Sequence, residues 1–273
     1  MTSGDDEGFA RLTGYISTSA GLALGDYKDK CLRRRVAVRM RACGVHTYDE
    51  FRTLLQQSAT EMQRLTDVLT INVTRFYRNR ETWQTVSRLV APELFSGNGL
   101  RQIWCAGCAS GEEAHTLAMV LAEAAADLGH AAWLERIVID ATDIDRLSLE
   151  KAAAGIYSEA ALADVEPALI ARWFTSLPDQ RYLVDPRLRQ RIRVRRHDML
   201  REPAPAPNYD FITCRNVIIY FDRPGQERLM QIFCDALRPG GYLLLGKVET
   251  ILGPSRHRLE LIDARERLYR LAA

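Results

Sequence analysis

The sequence predicts an α/β protein in two parts. An all-helical N-terminal domain with its linker spans residues 1–90, and a Rossmann-like domain spans 91–273, with a small antiparallel β-subdomain inserted at 155–197. Three observations predict this. Apolar residues recur near a 3.6 period through the N-terminal part, and no alternating strand pattern competes. From Arg101 onward, apolar runs of strand length alternate with helical stretches, which implies a parallel sheet. Finally, Ile103-Trp-Cys-Ala-Gly-Cys-Ala-Ser-Gly-Glu-Glu-Ala-His-Thr116 reads as a short buried strand, a small-residue turn and a helix start.

In the N-terminal part, Phe9-Ala-Arg-Leu-Thr-Gly-Tyr-Ile is a short amphipathic stretch. Gly25-Asp26 precedes a second helix, from Tyr27 to about Ala42, which Gly44 stops. Thr47 caps a third helix, and Ser58-x-x-Glu61 is a capping-box pattern opening a fourth. The second helix is the most charged element: Lys28, Lys30, Arg33, Arg34, Arg35, Arg39 and Arg41 face a single acid, Asp29. A solvated face needs fewer cations, so an acidic partner is expected. Aromatics are not interleaved with the arginines, which argues against nucleic acid. The stretch Leu69 to Arg80 mixes β-branched residues, Asn72, two aromatics and three arginines, as a segment touching both domains and a polar ligand would. A helix from about Glu81 to Leu94 then leads to the turn Ser96-Gly-Asn-Gly99.

Arg101 to Cys105 is the first strand. Ala106, Gly107, Ala109, Ser110 and Gly111 let the backbone turn sharply and let a ligand approach it. Ser110 is the expected N-cap of a helix running from Glu112 to about Leu128. In an open α/β sheet, this turn is where a nucleotide-like ligand binds. Neither a phosphate loop nor a Gly-x-Gly-x-x-Gly fingerprint is present. Glu112 and Glu113 instead offset the partial positive charge that would attract phosphate. A phosphate-free, cationic or zwitterionic ligand fits, and S-adenosylmethionine is one. The plainer alternative is that both acids only stabilise the helix start.

The second strand, Arg136 to Thr142, ends at Asp143-Ile-Asp145. An acid there can bind ribose hydroxyls, and Asp145 capping the next helix would leave Asp143 free to do so. Residues 155–197 break the alternation. Ala171 to Ser176, Arg181 to Asp185 and Leu188 to Arg196 read as strands, separated by turns at Pro178-Asp179 and Asp185-Pro186. The last is strongly basic, with Ile192 and Val194 alternating with arginines. Tyr209 to Cys214 is the next core strand, followed by a helix from Gln226 to Leu237 and a strand from Gly241 to Gly246. Leu259 to Ile262 and Leu268 to Leu271 form a closing antiparallel pair.

Composition sets outer limits. No apolar run approaches the roughly 20 residues of a membrane-spanning helix, so no membrane insertion is expected. The polar, acidic start Met-Thr-Ser-Gly-Asp-Asp-Glu is unlike a secretory signal, which points to the cytoplasm. Six cysteines are present, and Cys105 and Cys108 form a C-x-x-C. It has no second pair and no His-x-x-His, so buried reduced thiols are expected and no metal.

Five segments together resemble the chemotaxis-receptor glutamate O-methyltransferases, the CheR family. They are Asn72-Val-Thr-Arg-Phe-Tyr-Arg78, Trp104 to Glu113, Ala141-Thr-Asp143-Ile-Asp145, Cys214-Arg-Asn-Val-Ile-Ile-Tyr-Phe-Asp222, and Leu237-Arg-Pro-Gly-Gly-Tyr-Leu-Leu-Leu-Gly246. The resemblance covers nearly the whole chain. It implies S-adenosylmethionine as methyl donor, with S-adenosylhomocysteine as product. It places Asn72, Thr74, Arg78, Gly107, Glu112, Glu113, Asp143, Asp198, Met199, Arg215 and Asn216 around the cofactor. It implies a glutamate on the cytoplasmic helices of a chemotaxis receptor as acceptor; separately, a monomer is expected. Lys30, Arg33, Arg34, Arg39 and Arg41 would dock on that acidic bundle.

Two segments depart from the family pattern. Ala114-His115-Thr116 stands where Pro-Tyr-Ser is common, and Gly246-Lys-Val-Glu249 where Gly-His-Ser-Glu is common. The hairpin Ser176 to Arg181 is short and lacks glycine, so independence from a receptor tail peptide is expected. Arg78 and Tyr220 are the expected catalytic residues, orienting the acceptor carboxylate or the donor. A methyltransferase of the same fold with another acceptor, and a non-catalytic cofactor sensor, remain as alternatives.

Overall fold

The computed structural model describes residues 3–22, 24–69, 74–97 and 99–272. The chain divides into two compact units at 71/72, and residues 220–226 return to the first.

In the first unit, α1 is Ser3–Ala20, α2 is Asp29–Cys43, α3 is Tyr48–Gln57 and α4 is Ala59–Leu69. Helical spacing selects the core: Phe9, Leu12 and Ile16 on α1, Leu32, Val36 and Met40 on α2, Phe51 and Leu55 on α3, Leu65 and Leu69 on α4. Gly44 ends α2 at φ 69°, a conformation that costs glycine nothing. Thr47 and Glu50 form the expected capping box on α3, with Glu50 N–H donating to Thr47 Oγ1 at 3.2 Å. On α4 only half a box forms: Ser58 Oγ accepts the Glu61 N–H at 3.2 Å, while the Glu61 carboxylate turns to Arg39.

That turn corrects the docking surface. Arg39 Nη2 lies 2.6 Å from Glu61 Oε1 and ties α2 to α4. Arg33 pairs with Asp29 at 2.7 Å and Asp6 at 2.8 Å, and its guanidinium covers the Phe9 ring at 4.1 Å. Arg35 is buried, donates to the Leu69 carbonyl, and lies 4.6 Å from the centre of the Tyr220 ring. Arg33 and Arg39 are therefore internal struts. Lys30, Arg34 and Arg41 stay exposed.

The second unit carries a seven-stranded sheet: β1 Arg101–Ala106, β2 Ile137–Asp143, β6 Ile192–Arg196, β7 Tyr209–Cys214, β8 Leu237–Leu245, β9 Leu259–Asp263 and β10 Leu268–Leu271. Its order is β6-β2-β1-β7-β8-β10-β9. The first five run parallel; β10 is antiparallel to β8 and to β9. Helices α7 (Glu112–Asp127), α8 (Arg146–Ala154) and α11 (Arg223–Ala236) connect strands. A separate three-stranded sheet, β3-β5-β4, is built from Ile156–Ser158, Arg181–Val184 and Phe174–Leu177.

Three expectations are corrected. First, the boundary falls at 71/72 rather than 90. Helix α5 (Arg80–Thr85) runs through a widened turn, Val86–Val90, into α6 (Ala91–Phe95), and buries Trp83, Val86, Val90 and Leu94 in the second unit's core. Second, Ala171 to Trp173 end a helix, α9 (Pro167–Trp173), so strand begins only at Phe174. Third, β6 is not in the insertion; it pairs in parallel with β2 as the edge of the main sheet. Its arginines pair locally, Arg195 with Asp140 at 2.6 Å and Arg196 with Glu202 at 3.7 Å, and blunt that edge with charge.

Arg39→Ala leaves the largely buried Glu61 carboxylate without its fork. It is expected to cost about 2–4 kcal/mol in urea unfolding. Lys30→Ala should stay within about 0.5 kcal/mol.

Candidate active site

The strand order reverses between β1 and β7, and the candidate residues gather at the carboxyl ends of β1, β2, β7 and β8. That is where an open parallel sheet opens a crevice.

After β1 the chain turns through Gly107 (φ 77°) and Ala109 (φ 49°). A Cβ on Gly107 would meet Val217 Cγ2 at 2.5 Å, so only glycine fits. Gly107 and Cys108 N–H both donate to the Thr142 carbonyl, at 2.8 and 2.9 Å, which binds the turn to β2. The Asp143 carboxylate holds it from the side: Oδ2 accepts Ala109 N–H at 2.9 Å and Oδ1 accepts Asp145 N–H at 3.0 Å. Asp145 caps α8, as expected, by accepting Leu147 N–H at 3.0 Å. Asp143 is not thereby left free, because both oxygens already hold backbone amides. Burial raises its pKa against those amide bonds.

The paired acids of α7 part company. Glu113 Oε1 accepts Thr213 Oγ1–H at 2.9 Å, and Oε2 lies 3.1 Å from Arg215 Nη1. Glu112 instead accepts the Ser110 hydroxyl at 2.7 Å, behind the turn, and burial raises its pKa. Ser110 is thus a donor to Glu112 and not the cap of α7; Gly111 occupies the N-cap without a side-chain bond. Glu112 thus turns to Ser110, whereas Glu113 turns to Thr213 and Arg215.

Arg215 gathers the site. Its Nη2 donates to the Arg78 carbonyl at 2.9 Å and to Asn79 Oδ1 at 3.0 Å. Trp83 Nε1 donates to the same carbonyl at 3.1 Å, and Tyr77 N–H donates to Thr116 Oγ1 at 3.1 Å. Arg78 consequently sits between two left-handed residues, Tyr77 (φ 50°) and Asn79 (φ 60°). Each such residue costs about 1–3 kcal/mol and persists only where its surroundings over-determine it.

On the β8 side, Glu249 organises the turn after β7. Its carboxylate accepts four backbone N–H groups: Gly246 at 2.7 Å, Ile218 at 2.8 Å, Asn216 at 3.0 Å and Ile219 at 3.3 Å. Asn216 is itself left-handed, at φ 60°. Sequence reasoning missed Glu249, Asn79, Thr116 and Thr213. The signal for Glu249 was available: an acid shortly past the carboxyl end of a core strand, the position that singled out Asp143.

Met199 is buried and Thr74 half-buried near these elements in sequence. Asn72 lies outside the described residues. Tyr220 belongs to the first unit, under Arg35.

Beside these strand ends, among the described residues, Asp198 Oδ2 and Asn216 Oδ1 are buried acceptors without a hydrogen-bond partner. Arg201 is 3.8 Å from the first, beyond bonding distance. Orphaned buried acceptors call for donors from a ligand. The loop itself offers no lysine or arginine to a phosphate. The set fits a phosphate-free ligand bearing amines and hydroxyls, which S-adenosylmethionine is.

Residues 7–70 match the family model described as CheR methyltransferase, all-alpha domain, and residues 72–268 that described as CheR methyltransferase, SAM binding domain. A chemotaxis protein methyltransferase of Listeria monocytogenes is 31% identical over 259 residues, covering 94% of this chain and 95% of that protein. One of Klebsiella aerogenes is 32% identical over 257 residues, covering 92% of this chain and 86% of that protein. A 104.1 kDa protein of Rhodobacter capsulatus is 34% identical over 267 residues; the match covers 96% of this chain but 27% of that longer protein.

Two outcomes follow from the geometry. Glu249→Gln puts an amide donor against four donors. It should weaken binding of S-adenosylhomocysteine about tenfold in titration calorimetry while the chain stays folded. His115, fully buried on α7, has its pKa lowered to about 4 by burial. The unfolded chain therefore takes up the proton first, and stability falls as pH drops from about 6.5 towards 4. Between pH 7 and 5 this amounts to about 2 kcal/mol, or roughly 5 °C in melting temperature, and His115→Leu should abolish that increment.

Proposed function

The chain belongs to the CheR methyltransferase family, and on that premise we propose that it methylates the γ-carboxylate of glutamates on the cytoplasmic helices of chemotaxis receptors. S-adenosylmethionine is its methyl donor. The products are glutamate methyl esters and S-adenosylhomocysteine, and the reaction serves sensory adaptation.

The observation that carries the acceptor is one face of α2. Lys30, Arg34, Val38 and Arg41 follow one another at helical spacing, all exposed, Val38 by 46%. No acid pairs with the three cations among the described residues, in contrast to Arg33 and Arg39. A cationic stripe with an apolar spot suits an acidic helical surface.

Bound S-adenosylmethionine supplies a methyl group on a sulfonium, open to in-line displacement. The acceptor carboxylate is ionised at neutral pH, so the chain has no proton to remove. Its task is alignment and exclusion of water. Asp198 Oδ2 and Asn216 Oδ1 accept from ligand amines, and the remaining lone pairs of Asp143 accept from ribose hydroxyls. Glu113, held by Thr213 and Arg215, offers a fixed carboxylate to a cationic group. Arg78, with its backbone locked on both sides, presents a guanidinium fork to a carboxylate. The Tyr220 hydroxyl orients the acceptor.

A receptor tail peptide is not required in this reading. The β4–β5 hairpin turns through Asp179 (φ 60°) and Gln180 (φ 54°), without glycine and without an extended loop.

The test is transfer of labelled methyl from S-adenosylmethionine to receptor-containing membranes. Base-labile label on receptors is expected, with Arg78→Ala and Tyr220→Phe each losing about 100-fold in kcat. Arg34→Glu with Arg41→Glu should raise KM for receptor about tenfold at unchanged kcat. Receptors truncated at the C-terminus should be methylated with unchanged KM. No receptor label, despite cofactor binding, would move the acceptor elsewhere.

A further inference from the structure

The small sheet has an attachment that neither the cofactor reading nor the docking face uses. Tyr157 on β3 is buried. Its hydroxyl donates to the Ser110 carbonyl at 2.7 Å and lies 3.1 Å from His115 Nδ1. The same Nδ1 is 2.9 Å from the Gly111 carbonyl. Carbonyls only accept, so Nδ1 carries the proton and the Tyr157 oxygen accepts from it. One hydroxyl thus closes a chain from the small sheet, through Ser110, to α7.

Packing leaves this arrangement no slack. Gly111 sits at φ 93°, where a Cβ would meet Ala152 Cβ at 2.8 Å and the Tyr157 hydroxyl at 2.9 Å. The back of the cofactor turn therefore rests on β3 and α8. A second grip comes from Phe76, two residues before Arg78. Its ring meets Tyr157 edge-on at 4.8 Å and Phe174 of β4 at 5.4 Å. Two walls of the site, the turn 107–111 and the stretch 76–79, lean on the same small sheet. That sheet is too small to hold its shape alone, with strands of three and four residues. Tyr157, Phe174 and Val184 instead share the second unit's core with α7.

We propose that Tyr157 is a positioning residue for the cofactor: its hydroxyl, with His115, fixes the turn 108–111 in the conformation that binds S-adenosylmethionine. The small sheet is then part of the cofactor site's support. This rests on the cofactor site and not on the identity of the acceptor.

Tyr157→Phe keeps the ring against Phe76 and removes only the hydroxyl. Titration of the full chain with S-adenosylhomocysteine should show Kd raised about fivefold to tenfold. KM for S-adenosylmethionine should rise alike, with kcat at saturating cofactor within about twofold. His115→Leu should do the same to a smaller degree. The double variant should be no worse than Tyr157→Phe, because both act on one turn. If Tyr157→Phe fails to fold by thermal melting, His115→Leu carries the same expectation. An unchanged Kd, a fall in kcat at constant KM, or additive effects in the double variant would each overturn the proposal. Wild-type binding of S-adenosylhomocysteine, measured alongside, separates that result from failure of the cofactor assignment.

Discussion

The buried pair of Glu113 and Arg215 is the constraint on which the site depends. The Arg215 side chain is 1% exposed and that of Glu113 13%. Two charges taken this far from water cost several kcal/mol each, and attraction alone repays that only with good geometry and further hydrogen bonds. Here those bonds go to Thr213, the Arg78 carbonyl and Asn79. Strand β7, helix α7 and the 78–79 turn are thereby tied at one point. Arg215 Nε nonetheless stays buried without a partner. An arrangement selected for stability alone would not leave that donor orphaned. What the pair provides is placement, and the left-handed residues Tyr77, Asn79, Ala109 and Asn216 show how much placement the site demands.

The general plan was readable because it is written in periodicity. Helical spacing in the first seventy residues, strand-turn-helix alternation after Arg101 and the small-residue turn each name an element directly. The errors share a different character. Strand β6 was assigned to the insertion because alternating arginines describe any strand with one open face, and the sheet it joins is decided by pairing with β2. Arg33 and Arg39 looked like a docking surface because their acids, Asp6 and Glu61, lie on other helices. The boundary was set late because the helical stretch 80–95 resembles what precedes it in periodicity, while the core it enters belongs to the sheet.

At the site, the sequence revealed the residue types but not their division of labour. Two adjacent glutamates open α7, and only the fold separates Glu113, facing Thr213 and Arg215, from Glu112, facing Ser110. Asp143 was correctly placed at the end of β2, yet both its oxygens already hold backbone amides. Glu249 is the mirror case across the sheet, a carboxylate spent on four amides of the turn after β7. Acids at strand ends thus do two jobs here: they pin turns whose amides would otherwise be unsatisfied, and only their remaining lone pairs face a ligand.

This division gives meaning to the segment Ala114-His115-Thr116. Thr116 takes the Tyr77 N–H and donates to the Glu112 carbonyl, while His115 meets Tyr157 and Gly111. Both residues support turns from behind. Neither supplies an orphaned acceptor such as Asp198 Oδ2 or Asn216 Oδ1. A change at these positions alters how the cofactor turn is braced and leaves the groups offered to the ligand in place. Bracing of this kind is exchangeable among side chains that satisfy the same backbone groups, since a turn needs its amides and carbonyls paired but is indifferent to which side chain pairs them. On that ground Ala114-His115-Thr116 acts on the cofactor turn through its backbone groups, while the groups around Arg215 act through their side chains.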